Sequence, residues 1–211
     1  MGARLSDIVD ALPGGAEDRS PPAHAEILRG VADGDPSANA ALYDALSPVV
    51  VRTLQKILRD PSADYEDLVQ TTFERIVRTL VERGTGSVSH LAAWGAGIAA
   101  HVALDALRAK IRERKLFFRE ASTERGAEWV VAPSLERQLE ARRKLAWVQG
   151  ALARMNADHA QALLLHDVLG HDLAETASIA GVSLAAAQKR LSRARQELLR
   201  RAKNGEKGGK P

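Results

Sequence analysis

The sequence predicts an all-α fold: two small helical domains joined by a linker, the second ending in a helix-turn-helix. Three observations carry that expectation. Apolar residues recur at intervals of three and four through both halves, the period of an amphipathic helix. Aromatic residues make up only 4% of the chain, so a core must be built from Leu, Val, Ile and Ala. Residues 170–199 read as helix, sharp turn and basic helix.

Residues 1–22 end in Arg-Ser-Pro-Pro and read as a loosely ordered tail. A first domain is expected over 23–115. Its first helix presents Ile27, Leu28 and Val31 and closes at Asp33-Gly-Asp-Pro36. The second carries Leu42, Leu46, Val50, Leu54 and Ile57 or Leu58 at helical spacing. It ends at Asp60-Pro61, because the residue before a proline is pushed out of the helical region. A third helix, from Ser62 or Asp64, puts Val69, Phe73, Ile76 and Leu80 on one face and Asp64, Glu66, Asp67, Gln70 and Glu74 on the other. The fourth runs from about Ser89 to Arg114, with Leu91, Trp94, Ile98, Leu104, Leu107 and Ile111 as its apolar positions.

Residues 116–134 lack a clean period and read as a linker. The second domain, 135–203, opens with Leu135, Leu139, Leu145 and Val148 or Leu152 on one helix and continues with a helix near 158–168. Residues 204–211 read as a frayed basic tail.

The final helix pair is the most specific feature. Ala177 is small enough for two helices to approach, and Gly181 can take the positive φ of a sharp turn. Val182 is expected to point back into the core. Ser183 is an N-cap residue type. The helix after it carries Gln188, Lys189, Arg190, Arg193 and Arg195, the layout of a helix that enters the DNA major groove. The bland alternative is a helical hairpin with a solvated basic face.

Composition narrows the classes. There is no cysteine, which excludes disulfides and thiolate metal sites and suits a reducing compartment. No apolar run approaches the roughly 20 residues of a membrane span, and residues 1–22 form no signal-peptide core. A cytoplasmic protein is expected. Net charge is only +3, but residues 150–211 hold ten Lys or Arg against six Asp or Glu, so positive charge gathers where the helix-turn-helix lies. The six histidines (24, 90, 101, 159, 166 and 171) include no i, i+4 pair of the helical zinc type. No phosphate loop, nucleophile elbow or dinucleotide fingerprint is present, so neither an enzyme nor a resident cofactor or metal is expected.

Four segments in order resemble a bacterial sigma factor of the compact extracytoplasmic-function type, over about residues 25–112 and 135–200. Residues 34–43 look like the family's opening helix, and 64–78 like its polymerase-binding helix. Residues 91–108 are similar to its helix for promoter melting and minus-ten recognition. Residues 162–170 and the helix-turn-helix look like its minus-thirty-five reader.

The resemblance implies a detachable specificity subunit, with RNA polymerase core (through its clamp helices) and promoter DNA as partners and an anti-sigma factor as a further one. It implies that Asp64, Glu66, Asp67, Gln70 and Glu74 dock polymerase; the other reading of that face is plain solvation. It implies that the loop 84–90 and the first turns of the fourth helix hold a flipped base, with Arg108, Lys110 and Arg112 on the backbone of the opened strand. Trp94 falls at a core position.

The sequence departs from the family pattern at Ala100 and His101, where Arg-Asn is common, and at Ala186 and Ala187, where a hydroxyl and a β-branched aliphatic are common. Asn156-Ala157 replaces a Pro-Pro turn. Two other readings stay open: a stand-alone helix-turn-helix regulator, and a sigma mimic that titrates an anti-sigma protein.

Overall fold

The computed structural model describes residues 21–60, 63–83, 90–120 and 133–207. The expected N-terminal tail over residues 1–20, the loop at 84–89, the centre of the linker and the last four residues lie outside the described residues. Everything regular among the described residues is helical: α1 (Pro21–Ala32), α2 (Pro36–Leu58), α3 (Tyr65–Arg83), α4 (Leu91–Glu120), α5 (Pro133–Ala153), α6 (Ala157–Leu163), α7 (Leu173–Ile179) and α8 (Leu184–Lys207). A π-helical turn, Leu164–Val168, continues α6. No helix among the described residues is long and apolar enough to cross a membrane.

Local chemistry sets the ends. Asp35 caps α2 by accepting from the Ser37 amide at 2.9 Å, with Pro36 at the first helical position, where its missing N–H costs nothing. Arg59, in the left-handed region at φ 46°, closes the same helix. Asp64 caps α3 through the Asp67 amide at 3.2 Å. Asn156 caps α6 by accepting from the Asp158 and His159 amides, so the polar side chain does at this turn what the expected proline pair would do by fixing the backbone.

The helix limits differ from expectation at several places, α5 among them, which begins at Pro133 inside the expected linker. α1 begins at Pro21, inside the expected tail. α4 continues to Glu120, into the stretch read as linker, because no Gly or Pro interrupts 115–120. α8 reaches Lys207, past residue 203, carried on by Ala202, Lys203 and Glu206; Gly205 weakens a helix without forbidding one.

The core is aliphatic. Leu42, Leu46, Val50, Leu54, Ile57 and Leu58 of α2 are all buried, as their spacing requires. From α3, Val69, Ile76 and Leu80 join them, while Phe73 is half-buried and packs on Tyr43. In the second domain Leu152, Ala160, Leu163, Leu164, Leu191 and Ala194 are buried. Leu139 is a correction: expected on the core face of α5, it is 36% exposed, and the surrounding residues 137–144 are exposed as well. Val182, expected to point into the core, is half-buried.

The buried residues of both domains form one continuous cluster rather than two. α4 is the element that joins them. It packs on α2 and α3 on one side and on α5, α6 and α7 on the other.

Candidate functional site

Three surfaces carry the chemistry that the sequence points to. On α3, Asp64, Glu66, Asp67, Gln70 and Glu74 are all exposed. The Gln70 amide donates to Glu74 Oε1 at 3.1 Å, one turn apart, which fixes two of the five groups relative to each other. Beside them lies an open groove of about 1020 Å³, with Tyr43, Val51, Tyr65, Val69, Phe73 and Val77 along its walls and Glu66, Gln70, Glu74 and Arg78 among its lining. Tyr43 and Phe73 stand with ring centroids 4.6 Å apart. The sequence reading found the acids and missed the apolar groove, because Tyr43 and Val51 come from α2 and no spacing on α3 reveals them.

The second surface is the helix-turn-helix. A capping box starts α7: Asp172 Oδ1 accepts from the Glu175 amide at 2.8 Å, and Glu175 Oε2 accepts from the Asp172 amide at 3.0 Å. Gly181, at φ 63°, makes the turn, and the Val182 amide donates back to Ala177 O at 3.0 Å. Ala177 is buried where the helices meet. Ser183 Oγ accepts from the Ala186 amide at 3.2 Å and opens α8.

On α8, Ala187, Leu191 and Ala194 are buried against α6 and α7, which fixes the opposite face outward. Gln188, Lys189 and Arg193 lie on that exposed face, together with Ser192, Gln196 and Arg200. The last three were missed in the sequence, although 189, 193, 196 and 200 follow helical spacing. Ser183 is exposed beside the start of this face, and Ala186 is half-buried.

Arg190 and Arg195 fall to the sides. Arg190 pairs with Asp158 at 2.8 Å. Arg195 donates twice to Asp167, Nε to Oδ2 at 3.0 Å and a terminal nitrogen to Oδ1 at 2.5 Å. The π-helical turn holds this cluster in place, and His166 Nδ1 sits 2.9 Å from Asp167 Oδ1. Burial is the largest single influence on the Asp167 carboxyl and raises its pKa. The hydrogen bonds from Arg195 and His166 together outweigh it and hold the carboxyl below its usual range. The same ion pair raises the Arg195 guanidinium.

The third surface, on α4, differs most from expectation. His101 is half-buried and Arg112 exposed, while Lys110 is paired with Asp60. Arg108 is turned inward: its Nε donates to Ala153 O at 3.3 Å and a terminal nitrogen donates to Met155 O at 3.4 Å, while the other reaches Asp105. Ala100 is fully buried, so alanine there is a packing residue and an arginine would have no room for its side chain.

Two family models match the chain. Residues 42–113 match sigma-70 region 2, and residues 145–198 match sigma-70, region 4. The chain belongs to the sigma-70 family. As a sigma factor it is not an enzyme, and its region 2 and region 4 stand in the order that the extracytoplasmic-function resemblance implies. The acidic helix α3 and most of α4 lie in region 2, and the helix-turn-helix in region 4. No curated protein matches the chain. Nine chains of solved structures do; one, titled "Structure of CnrH in complex with the cytosolic domain of CnrY", is 20% identical with a TM-score of 0.46, the match covering 84% of this chain and 96% of that one.

Proposed function

We propose that this sigma factor binds RNA polymerase core through the α3 face and directs promoter recognition and opening with both domains. Region 4 would read the minus-thirty-five element with Gln188, Lys189, Ser192 and Arg193 of α8, and region 2 would engage and open the minus-ten element. The observation that carries this reading is the α3 surface. Five polar or acidic side chains stand exposed on α3, and three of them, Glu66, Gln70 and Glu74, line an apolar groove, a combination that can take up a basic helical partner by charge and by buried area. A face that was merely solvated would have no use for the groove. Polymerase clamp helices are the partner of this chemistry that the family implies. An anti-sigma protein is a further partner on the same grounds, competing for the exposed faces of α3 or α8.

The deciding experiment is pull-down of purified core polymerase, followed by transcription from a promoter library with the recovered complex. Core binding with start sites that share a two-part motif is expected, and Asp67→Arg should abolish the binding by placing like charge against a basic partner. Lack of core binding would refute the reading, and sequence-specific binding of the free protein to DNA would then favour a stand-alone regulator. Core binding with random start sites would leave α3 in its role and remove α8 from promoter reading.

A further inference from the structure

Helix α8 opens on an apolar tip. Leu184, Ala185 and Ala186 lead its first turn; Leu184 is 53% exposed, Ala185 is exposed and Ala186 half-buried. Acidic residues are favoured in the first turn of a helix, beside its free amides, yet this turn has none. The cap comes from outside it, through the Ser183 hydroxyl that accepts from the Ala186 amide. Packing does not explain the leucine either, because Ala187, Leu191 and Ala194 are the buried residues of this helix.

The neighbours of the tip indicate what it meets. Leu184, Gln188 and Ser192 follow at intervals of four, so they form one row along the helix, and all three are exposed. Ala185 heads a second exposed row with Lys189 and Gln196. No carboxylate occurs from Leu184 to Gln196; the first is Glu197, which is paired with Arg201. An apolar tip that runs into Gln, Lys, Ser and Arg without an acid suits the floor of the major groove. Thymine is the base that presents a methyl group there, and a glutamine amide pairs with the N6 and N7 edge of adenine.

Given the sigma-factor role proposed above, we propose that Leu184 selects the minus-thirty-five element by packing on a thymine methyl, beside an adenine read by Gln188. Ala185 is small enough to let the leucine reach the groove floor. The first residues of a helix lying in the groove are those that meet base edges. Leu184 and Gln188 stand about 6 Å apart along the axis and base pairs about 3.4 Å, so the thymine lies within two base pairs of that adenine. Cytosine has no methyl and turns an amino group towards the leucine, so it is rejected at the same position.

Deoxyuridine differs from thymidine only by the methyl group, which isolates the contact. Holoenzyme is bound, at one salt concentration, to the minus-thirty-five sequence recovered from a promoter library, with each thymine of either strand replaced in turn by deoxyuridine. One replacement should weaken wild-type binding about fourfold, the contribution of one buried methyl. The same replacement should have no effect on Leu184→Ala, which should fold as the wild type does because Leu184 is exposed and alanine favours a helix. Gln188→Ala should relax base preference within two pairs of the sensitive thymine. Leu199→Ala is the control: Leu199 is 63% exposed but stands about 22 Å further along α8, so its variant should keep the wild-type sensitivity.

Thymines that all tolerate deoxyuridine would overturn the proposal, as would a penalty that persists in Leu184→Ala or falls more than two pairs from the Gln188 position. Loss of core binding in Leu184→Ala would overturn it too, by making the tip a protein contact. A wild-type holoenzyme that starts at random would overturn the sigma reading and this contact with it. That failure shows at the library, before any base is altered.

Discussion

Arg108 and Gln149 perform the same task in opposite directions. Gln149 of α5 donates its amide to the Ile57 and Leu58 carbonyls, at 3.2 and 2.5 Å, in the last turn of α2. Arg108 of α4 donates to the Ala153 and Met155 carbonyls at the end of α5. Helix C-termini leave carbonyls without intrahelical partners, and each domain supplies the side chain that satisfies the other's. Arginine suits its site further because a cation is favoured at the negative end of a helix.

Removing either side chain leaves part-buried carbonyls without that partner. Gln149→Ala should lower stability by about 1–2 kcal/mol, and Arg108→Ala by about 1.5–3 kcal/mol, since its bonds carry a charge. Arg108→Lys should recover little, because a single ammonium cannot reproduce the fork that reaches both carbonyls and Asp105. Urea unfolding curves measure all three. Losses under about 0.5 kcal/mol would show that the two domains do not depend on these bonds.

Asp167 gives the protein an acid-sensitive point. Its folded-state pKa lies below the ordinary value near 3.8, so the ion pair with Arg195 contributes stability that is present above that value and lost as pH falls through the folded one. Asp167→Asn should therefore be less stable than the wild type at pH 7 and at pH 5, and the difference should shrink below about pH 4 and vanish as the wild-type carboxyl protonates. Urea midpoints for the two proteins across that range test it. A gap that stayed constant with pH would mean that Asp167 acts through shape alone.

What the sequence disclosed, and what it hid, follows from what each pattern encodes. The buried stripe of α2 was legible residue by residue, since one face meets the core and large aliphatics mark it. In α4 the stripe from Leu91 to Ile111 was legible but incomplete. Its second buried side is made of Ala96, Gly97 and Ala100, and small residues look alike whether they face solvent or a neighbouring helix. The same blindness made Ala100 read as a departure from the family pattern rather than as a packing residue.

On α8, charge drew attention to Arg190 and Arg195, yet adjacent helix positions are about 100° apart, and position decides which arginine is outward. Asp158 and Asp167, which hold the two arginines, lie 32 and 28 residues away in sequence, beyond the reach of any periodicity.

The turn between α7 and α8 tolerates little change. Gly181 sits at φ 63°, where an L side chain crowds its own backbone, and the turn bond from the Val182 amide to Ala177 O depends on that conformation. Gly181→Ala should cost about 1–2 kcal/mol although nothing stands within 4 Å of the added methyl. Thermal melting is a direct test, and an unchanged midpoint would mean that the turn accepts another backbone path. Gly97→Ala makes the useful contrast: strain is absent there, and the obstacle is Ile179.

Lys189 and Arg195 separate two kinds of basic residue on one helix. Lys189 stands on the outer face of α8 with Arg193, whereas Arg195 is held in a double hydrogen bond by Asp167. If α8 lies in the major groove, Lys189 and Arg193 can release counterions by meeting phosphates, and Arg195 would first have to break its ion pair. Each phosphate contact contributes roughly −0.9 to the slope of log K against log salt. Lys189→Ala and Arg193→Ala should therefore each flatten the slope of holoenzyme–promoter binding by about one unit. Arg195→Ala should leave the slope nearly unchanged while lowering the unfolding midpoint of the free protein, because what it loses is the bond to Asp167. Anisotropy titrations from about 50 to 200 mM salt resolve such differences. A slope that flattened as much for Arg195→Ala as for Lys189→Ala would mean that Asp167 releases its arginine on DNA, so that the ion pair belongs to the free protein alone.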